Sequence, residues 1–212
     1  MTIRTEIEDD LLVVTLDKPR RRNALDRAMV VELRRVVEAA PRRGVVGLVL
    51  EGAGGVFCAG QDLNERVVPA GAPMPDLGES LGDRYNPLIR AIRACPLPVV
   101  AAVRGFAAGA GAGLALACDL VVAATDARFV LSFAKVGLMP DSGASWTVPA
   151  AVGRARALGM ALLADPVDAS TALRWGLVWA VAPPEEVGVA AREAARRLGT
   201  MTPPEPEEPS WI

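Results

Sequence analysis

Two segments decide what this chain can fold into. Each is a continuous apolar, β-branched run followed by a loop of the smallest residues. Val45 to Leu50 leads into the loop Glu51 to Gly60, and Val99 to Val103 leads into Gly105 to Gly113. A strand that is apolar at consecutive positions is covered on both faces, as in a parallel sheet. A turn of small residues between such a strand and a helix N-terminus permits close backbone packing. It also gathers N–H groups that have no intrahelical acceptor. Gly105–Gly113 alone fits either role. Two such loops behind two buried strands can aim two N–H groups at one oxygen, and each donor in such a hole is worth about 3–4 kcal/mol to a developing oxyanion.

Other glycine-loop chemistries fail on spacing. GxGxxG from Gly109 would need glycine at Leu114, and from Gly111 at Leu116. There is no GxxxxGK[ST], and no GxSxG surrounds Ser132, Ser142 or Ser145.

The remaining pattern is α/β. Ile3–Glu8 and Leu11–Asp17 flank Asp9-Asp10 as a hairpin. Asp26 caps a helix with Met29, Leu33, Val36, Val37 and Ala40 on one face, closed by Pro41. Val67–Pro75 reads as a surface excursion. A second amphipathic helix carries Leu77, Leu81, Leu88, Ile89 and Ile92. The Gly105–Gly113 loop leads into a short helix through Cys118. Strands follow at Asp119–Ala124 and Arg128–Leu131, helices at Trp146–Leu163 and Ala169–Trp175, and a last strand at Leu177–Val181. Glu185–Leu198 is a charged helix, and Thr202–Ser210 is a Pro/Glu-rich tail expected to be disordered. The expected division is a core over residues 1–182 and a C-terminal helix and tail over 183–212.

Composition narrows the chemistry. None of the 212 residues is histidine, which removes Ser-His-Asp and Cys-His pairs and His-ligated zinc. Acid–base work falls to Asp, Glu, Lys, Tyr or Cys. Lys+Arg number 23 against 25 Asp+Glu, so bulk charge gives no reason to expect nucleic acid. Cys58, Cys95 and Cys118 contain no CxxC and read as small hydrophobes of a reduced protein. The polar, acidic N-terminus does not read as a signal peptide. The most apolar stretch, Val99–Ala124, carries Arg104, Asp119 and the glycine cluster, so no membrane span is expected and a cytoplasmic location is. The chain is 51% hydrophobic but only 4% aromatic, an Ala/Val/Leu surplus that suggests a subunit interface.

Asp141 stands in Gly137-Leu138-Met139-Pro140-Asp141-Ser142-Gly143, before an expected helix. It reads as an N-cap, or as a base whose apolar neighbours Leu138 and Met139 favour the protonated form. Asp119 reads as a structural turn residue.

Taken together, three stretches resemble the crotonase (enoyl-CoA hydratase/isomerase) superfamily. They are Arg21-Arg22-Asn23-Ala24-Leu25, Phe57-Cys58-Ala59-Gly60-Gln61-Asp62-Leu63, and Gly105-Phe106-Ala107-Ala108-Gly109-Ala110-Gly111 continuing to Ala117-Cys118-Asp119. Four more stretches are similar to the family's branch of 1,2-epoxyphenylacetyl-CoA isomerases: Pro75–Ser80, Tyr85–Leu88, Phe133–Gly143 and Trp175–Trp179.

The resemblance implies a spiral of ββα turns, assembled as a homotrimer or hexamer. It implies that the backbone N–H groups of Gln61 and Ala110 hold a thioester oxygen and that Asp141 is the catalytic acid/base. Arg22, Ala24 and the loop Ala59, Gly60, Gln61, Asp62 and Leu63 would line the coenzyme A path, and Gly109 and Gly111 would join them in binding the substrate. Coenzyme A enters as part of the substrate, with no metal or other cofactor.

The two glutamate positions of the family's hydratases hold Gly113 and Phe133 here. One carboxylate still suffices to carry a proton between carbons, which points to an isomerase of an unsaturated or epoxide-bearing acyl-CoA. Gly113 stands where the branch usually has Asn, and Ala144-Ser145 where it has Gly-Thr. The chain is also shorter at its C-terminus than the resemblance leads one to expect. The alternatives are an acyl-CoA-binding protein without turnover, a specialised crotonase with an unusual acyl group, and a hydratase-like lyase.

Overall fold

The computed structural model describes residues 2–66 and 76–201. The expected excursion at Val67–Pro75 and the tail from Thr202 lie outside the described residues.

The hairpin forms as expected: β1 (Ile3–Glu8) pairs antiparallel with β2 (Leu11–Leu16) around Asp9, whose φ is 56°. After α1 (Arg27–Ala39), β3 (Gly47–Gly52) joins β2 in parallel. Asp26 caps α1, its carboxylate accepting from Met29 N at 2.8 Å, while Met29, Leu33 and Val37 turn into the core.

The second amphipathic segment runs as α2 (Leu77–Ser80), a π-helical turn at Leu81–Tyr85, and α3 (Asn86–Arg93). Then come β4 (Val99–Val103), β5 (Phe106–Ala108), α4 (Ala110–Ala117), β6 (Leu120–Ala124) and β7 (Arg128–Val130). α5 (Ala144–Leu163) is interrupted at Gly153, and β8 (Val167–Asp168), α6 (Ala169–Trp175), β9 (Ala180–Ala182) and α7 (Val187–Gly199) complete the order.

The strands form a six-stranded sheet, β1-β2-β3-β4-β6-β9, parallel from β2 onward, and a small sheet, β5-β7-β8. This is the mixed α/β architecture that the sequence implies. β4 is buried at every position, as a strand covered on both faces must be. One face carries the large core with Phe57, Leu114 and Phe129. α7 covers the other, its Ala191 and Ala195 packing among Leu11, Val49, Val100 and Val122. Arg192 fastens α7 to Glu8 at 2.7 Å and Glu51 at 3.3 Å.

β9 starts later than the sequence suggests. Gly176 ends α6 in a left-handed turn, where Leu177 N donates to Ala172 O, so Leu177 and Val178 serve the core before pairing begins. Asp119 makes the expected turn bond, accepting from Val99 N at 2.8 Å. Cys58 and Cys118 are buried and Cys95 is half-buried, all as free thiols. Among the described residues no helix is long and apolar enough to cross a membrane.

Candidate active site

The two glycine loops meet. Asn23 fixes the first: its side-chain amide donates to Ala53 O at 2.9 Å and Val56 O at 2.6 Å, while its Oδ1 accepts from Lys18 N. To reach those carbonyls Arg22 and Asn23 turn left-handed, at φ 50° and 55°. The chain then runs beside the loop, with Ala59 N donating to Arg22 O, Leu25 N to Gly60 O and Asp62 N to Leu25 O. Gln61 is thereby pinned on both sides.

The second loop docks by the same means. Cys58 N donates to Phe106 O, Ala108 N to Cys58 O, and Gly109 N to Val130 O. Gly109, at φ 51°, turns directly into the first residue of α4, Ala110, whose N–H has no intrahelical acceptor.

Gly60 shows how close the loops come. At φ 94°, a Cβ there would lie 2.8 Å from Ala108 O and 3.5 Å from Ala110 N. Gly111 is pressed equally hard, with its Cβ position 2.6 Å from Cys58 O. The Cys58 thiol, pushed up to about 12 by complete burial, is a packing group.

Over this junction opens a cavity of about 480 Å³. Ala59, Gly60, Gln61, Leu63, Gly109, Ala110 and Asp141 all line it, together with Leu77, Leu81, Tyr85, Phe133 and Leu138. Asp141 is the one carboxylate among the described lining residues. It does not cap α5: Gly143 holds the N-cap position, and the Asp141 carboxylate accepts from Ser142 Oγ at 2.8 Å. Phe133 stands in the wall, and Gly113 lies beneath, against Ser142.

Four expected binding residues lie outside the lining. Arg22 is exposed beyond it, Ala24 lies in the turn leading to Leu25, and Gly111 sits behind Ala110. Asp62 turns away into a clamp, in which Lys18 Nζ reaches Asp26 at 2.6 Å and Asp62 at 3.2 Å. Burial alone would raise both carboxylates. For Asp62 the Asn64 donors and Lys18, and for Asp26 Lys18 and Met29 N, outweigh it and hold them below their ordinary range.

Sequence reasoning gave no role to Lys18, Ser142 or Tyr85. Tyr85, the only tyrosine, sits in the π turn and donates to Leu25 O at 3.3 Å. Burial first, then the Glu65 carboxylate, pushes its phenol up, so it remains a neutral donor. Its uniqueness in the chain was the available signal.

Two backbone turns and one carboxylate thus line the same cavity. The family described as enoyl-CoA hydratase/isomerase matches residues 6–205. The chain belongs to that family, the crotonases. It is similar to the 1,2-epoxyphenylacetyl-CoA isomerase of Escherichia coli, 44% identical over 94% of this chain and 76% of that protein. It is also similar to the 2,3-dehydroadipyl-CoA hydratase of the same organism, 35% identical over 91% of this chain and 74% of that one. An enoyl-CoA hydratase from Mycobacterium avium superposes with a TM-score of 0.82 at 39% identity, over 94% of this chain and 76% of that one. This crotonase therefore has relatives named both as isomerases and as hydratases.

Proposed function

We propose that this crotonase is an acyl-CoA isomerase that moves a proton within an unsaturated or epoxide-bearing, phenylacetyl-derived thioester. The observation that carries this reading is that, among the described residues, the cavity holds a single carboxylate. Adding water across a double bond in the family's manner uses two carboxylates, and the positions that would supply them hold Gly113 and Phe133. Isomerisation needs one.

The thioester oxygen sits between the N–H groups of Gln61 and Ala110, where the α4 N-terminus adds its positive end. Asp141 removes the proton from the α-carbon of a 3-enoyl thioester. The electron pair spreads into the thioester as a dienolate held in the hole. The protonated Asp141 returns its proton to the γ-carbon, leaving the 2-enoyl thioester and a restored carboxylate. Atoms and charge balance without a further co-reactant, so coenzyme A enters only as part of the substrate. The reading includes a homotrimer or hexamer, for which the exposed apolar side chains Leu162 and Leu163 of α5 are suited.

The test is incubation with 3-enoyl-CoA in D₂O. Deuterium entering at Cα and Cγ with a 3-to-2 shift, lost in Asp141→Asn, is the expected result. Wild-type turnover in Asp141→Asn overturns the role of Asp141. Net water addition to 2-enoyl-CoA would make the chain a hydratase. Thioester binding without exchange would make it a binding protein.

A further inference from the structure

Behind the carboxylate, the Pro140–Gly143 loop makes one contact with α4 and one internal hydrogen bond that the proton transfer does not use. Ser142 is buried, 1% exposed, and held at φ 49°. Its Oγ donates to Asp141 Oδ1 at 2.8 Å. A Cβ built on Gly113 would fall 2.5 Å from Ser142 O and 2.9 Å from Ser142 Cβ. The loop therefore lies directly on bare helix backbone. A left-handed non-glycine residue is strained and persists where its surroundings over-determine it. Here the seat on α4 and the bond to Asp141 do so.

Gly113 follows Ala110 by three residues, about 4.5 Å of helical rise. One rigid helix thus carries a donor of the hole at its first residue and the support of the acid–base loop one turn later. We infer that Gly113 and Ser142 are positioning residues which together fix the separation of Asp141 from the Ala110 N–H. Gly113 is the seat, and the Ser142 hydroxyl is the latch that holds the carboxylate. This rests on the isomerase reading of Asp141. Its consequence is selective: a side chain at position 113 disturbs the reacting geometry and leaves the thioester path intact.

The experiment compares Gly113→Ala, Ser142→Ala and Ser142→Gly with the native chain. It measures kcat for 3-enoyl-CoA, Kd for a saturated acyl-CoA of equal length, Tm, and the crystal structure of Gly113→Ala. A displacement near 1 Å can cost about 100-fold, so Gly113→Ala is expected to lose kcat on that order with Kd changed less than about twofold. Both Ser142 variants lose about tenfold in kcat, Ser142→Gly included, although its backbone is relaxed. A variant combining Gly113→Ala with Ser142→Ala loses less than the product of the single losses, because both act on one loop.

Parallel loss of Kd and kcat, or unchanged kcat in all variants, overturns the inference. Should Gly113→Ala fail to fold, the Ser142 pair decides it. Should Asp141→Asn retain native turnover, the acid–base role of Asp141 fails. The seat is then judged by the crystal structure alone, where an unchanged separation of Asp141 from Ala110 overturns it.

Discussion

On the floor of the cavity the groups proposed to hold the thioester oxygen are backbone. Gln61 and Ala110 sit among Leu25–Gly60, Asp62–Leu25, Ala108–Cys58 and Gly109–Val130 hydrogen bonds, with Gly60 buried at the junction. On the opposite rim the chain presents side chains to solvent: Leu63 is 57% exposed and Met139 82%. A peptide N–H cannot be mutated away but can be displaced, so the floor is defended by close packing. On that proposal, exchanging side chains on the rim should leave the backbone donors in place. Precision and selectivity are thus housed in separate materials.

Five substitutions probe that division, in descending order of expected effect. Asp141→Asn should lower the rate of α-proton exchange by 10²–10⁴-fold with little change in Tm, read by mass spectrometry in D₂O. Gly60→Ala places a Cβ 2.8 Å from Ala108 O at φ 94° and should cost about 10²-fold in kcat by displacing a hole donor. A Gly60→Ala enzyme with native kcat would break the assignment of the floor.

Lys18→Met strands two partly buried carboxylates and should cost about 1–3 kcal/mol in urea unfolding. The pH dependence has a definite sign. Asp26 and Asp62 titrate below the ordinary 3.8 when folded, so their contribution is complete above about pH 4 and fades as pH falls through the lowered values. Lys18 is raised above 10.5, so its share is present below that value and is lost as pH rises through the raised one. Lys18→Met should therefore flatten the acid side of the stability profile.

Arg192→Met should cost about 1 kcal/mol by freeing α7 from Glu8 and Glu51, without changing kcat. Ser80→Ala is the smallest. Its buried Oγ has no partner among the described residues, so removal should be neutral or should stabilise by up to about 1 kcal/mol.

The sequence made the covered strands legible because a continuous apolar run has few alternatives. It made the α1 cap legible because Asp26 precedes a 3.6-period stripe. The glycine loops, and Asp141 among apolar neighbours, were also visible as local patterns. What stayed hidden depends on partners distant in the chain. The π turn at Leu81–Tyr85 leaves no mark in the spacing of Leu77, Leu81 and Leu88. Asp62 reads as a loop carboxylate beside Gln61 until folding brings Lys18 to it from 44 residues away. Ser142 shows no sign of its left-handed turn, since that conformation is imposed by Gly113 and Asp141 rather than preferred by serine.

α4 has a consequence for the enzyme's capacity to change. Gly111 presses on Cys58 and Gly113 on Ser142, while Ala110, Ala112, Leu114, Ala115 and Ala117 are buried. Almost every exchange in this helix enlarges a residue with no room to grow. A library randomised over α4 would return mostly inactive proteins, and one randomised over Leu63, Leu77, Leu81 and Met139 mostly folded ones. New acyl groups would be acquired by way of that rim, with the same eight helical residues inherited unaltered beneath them.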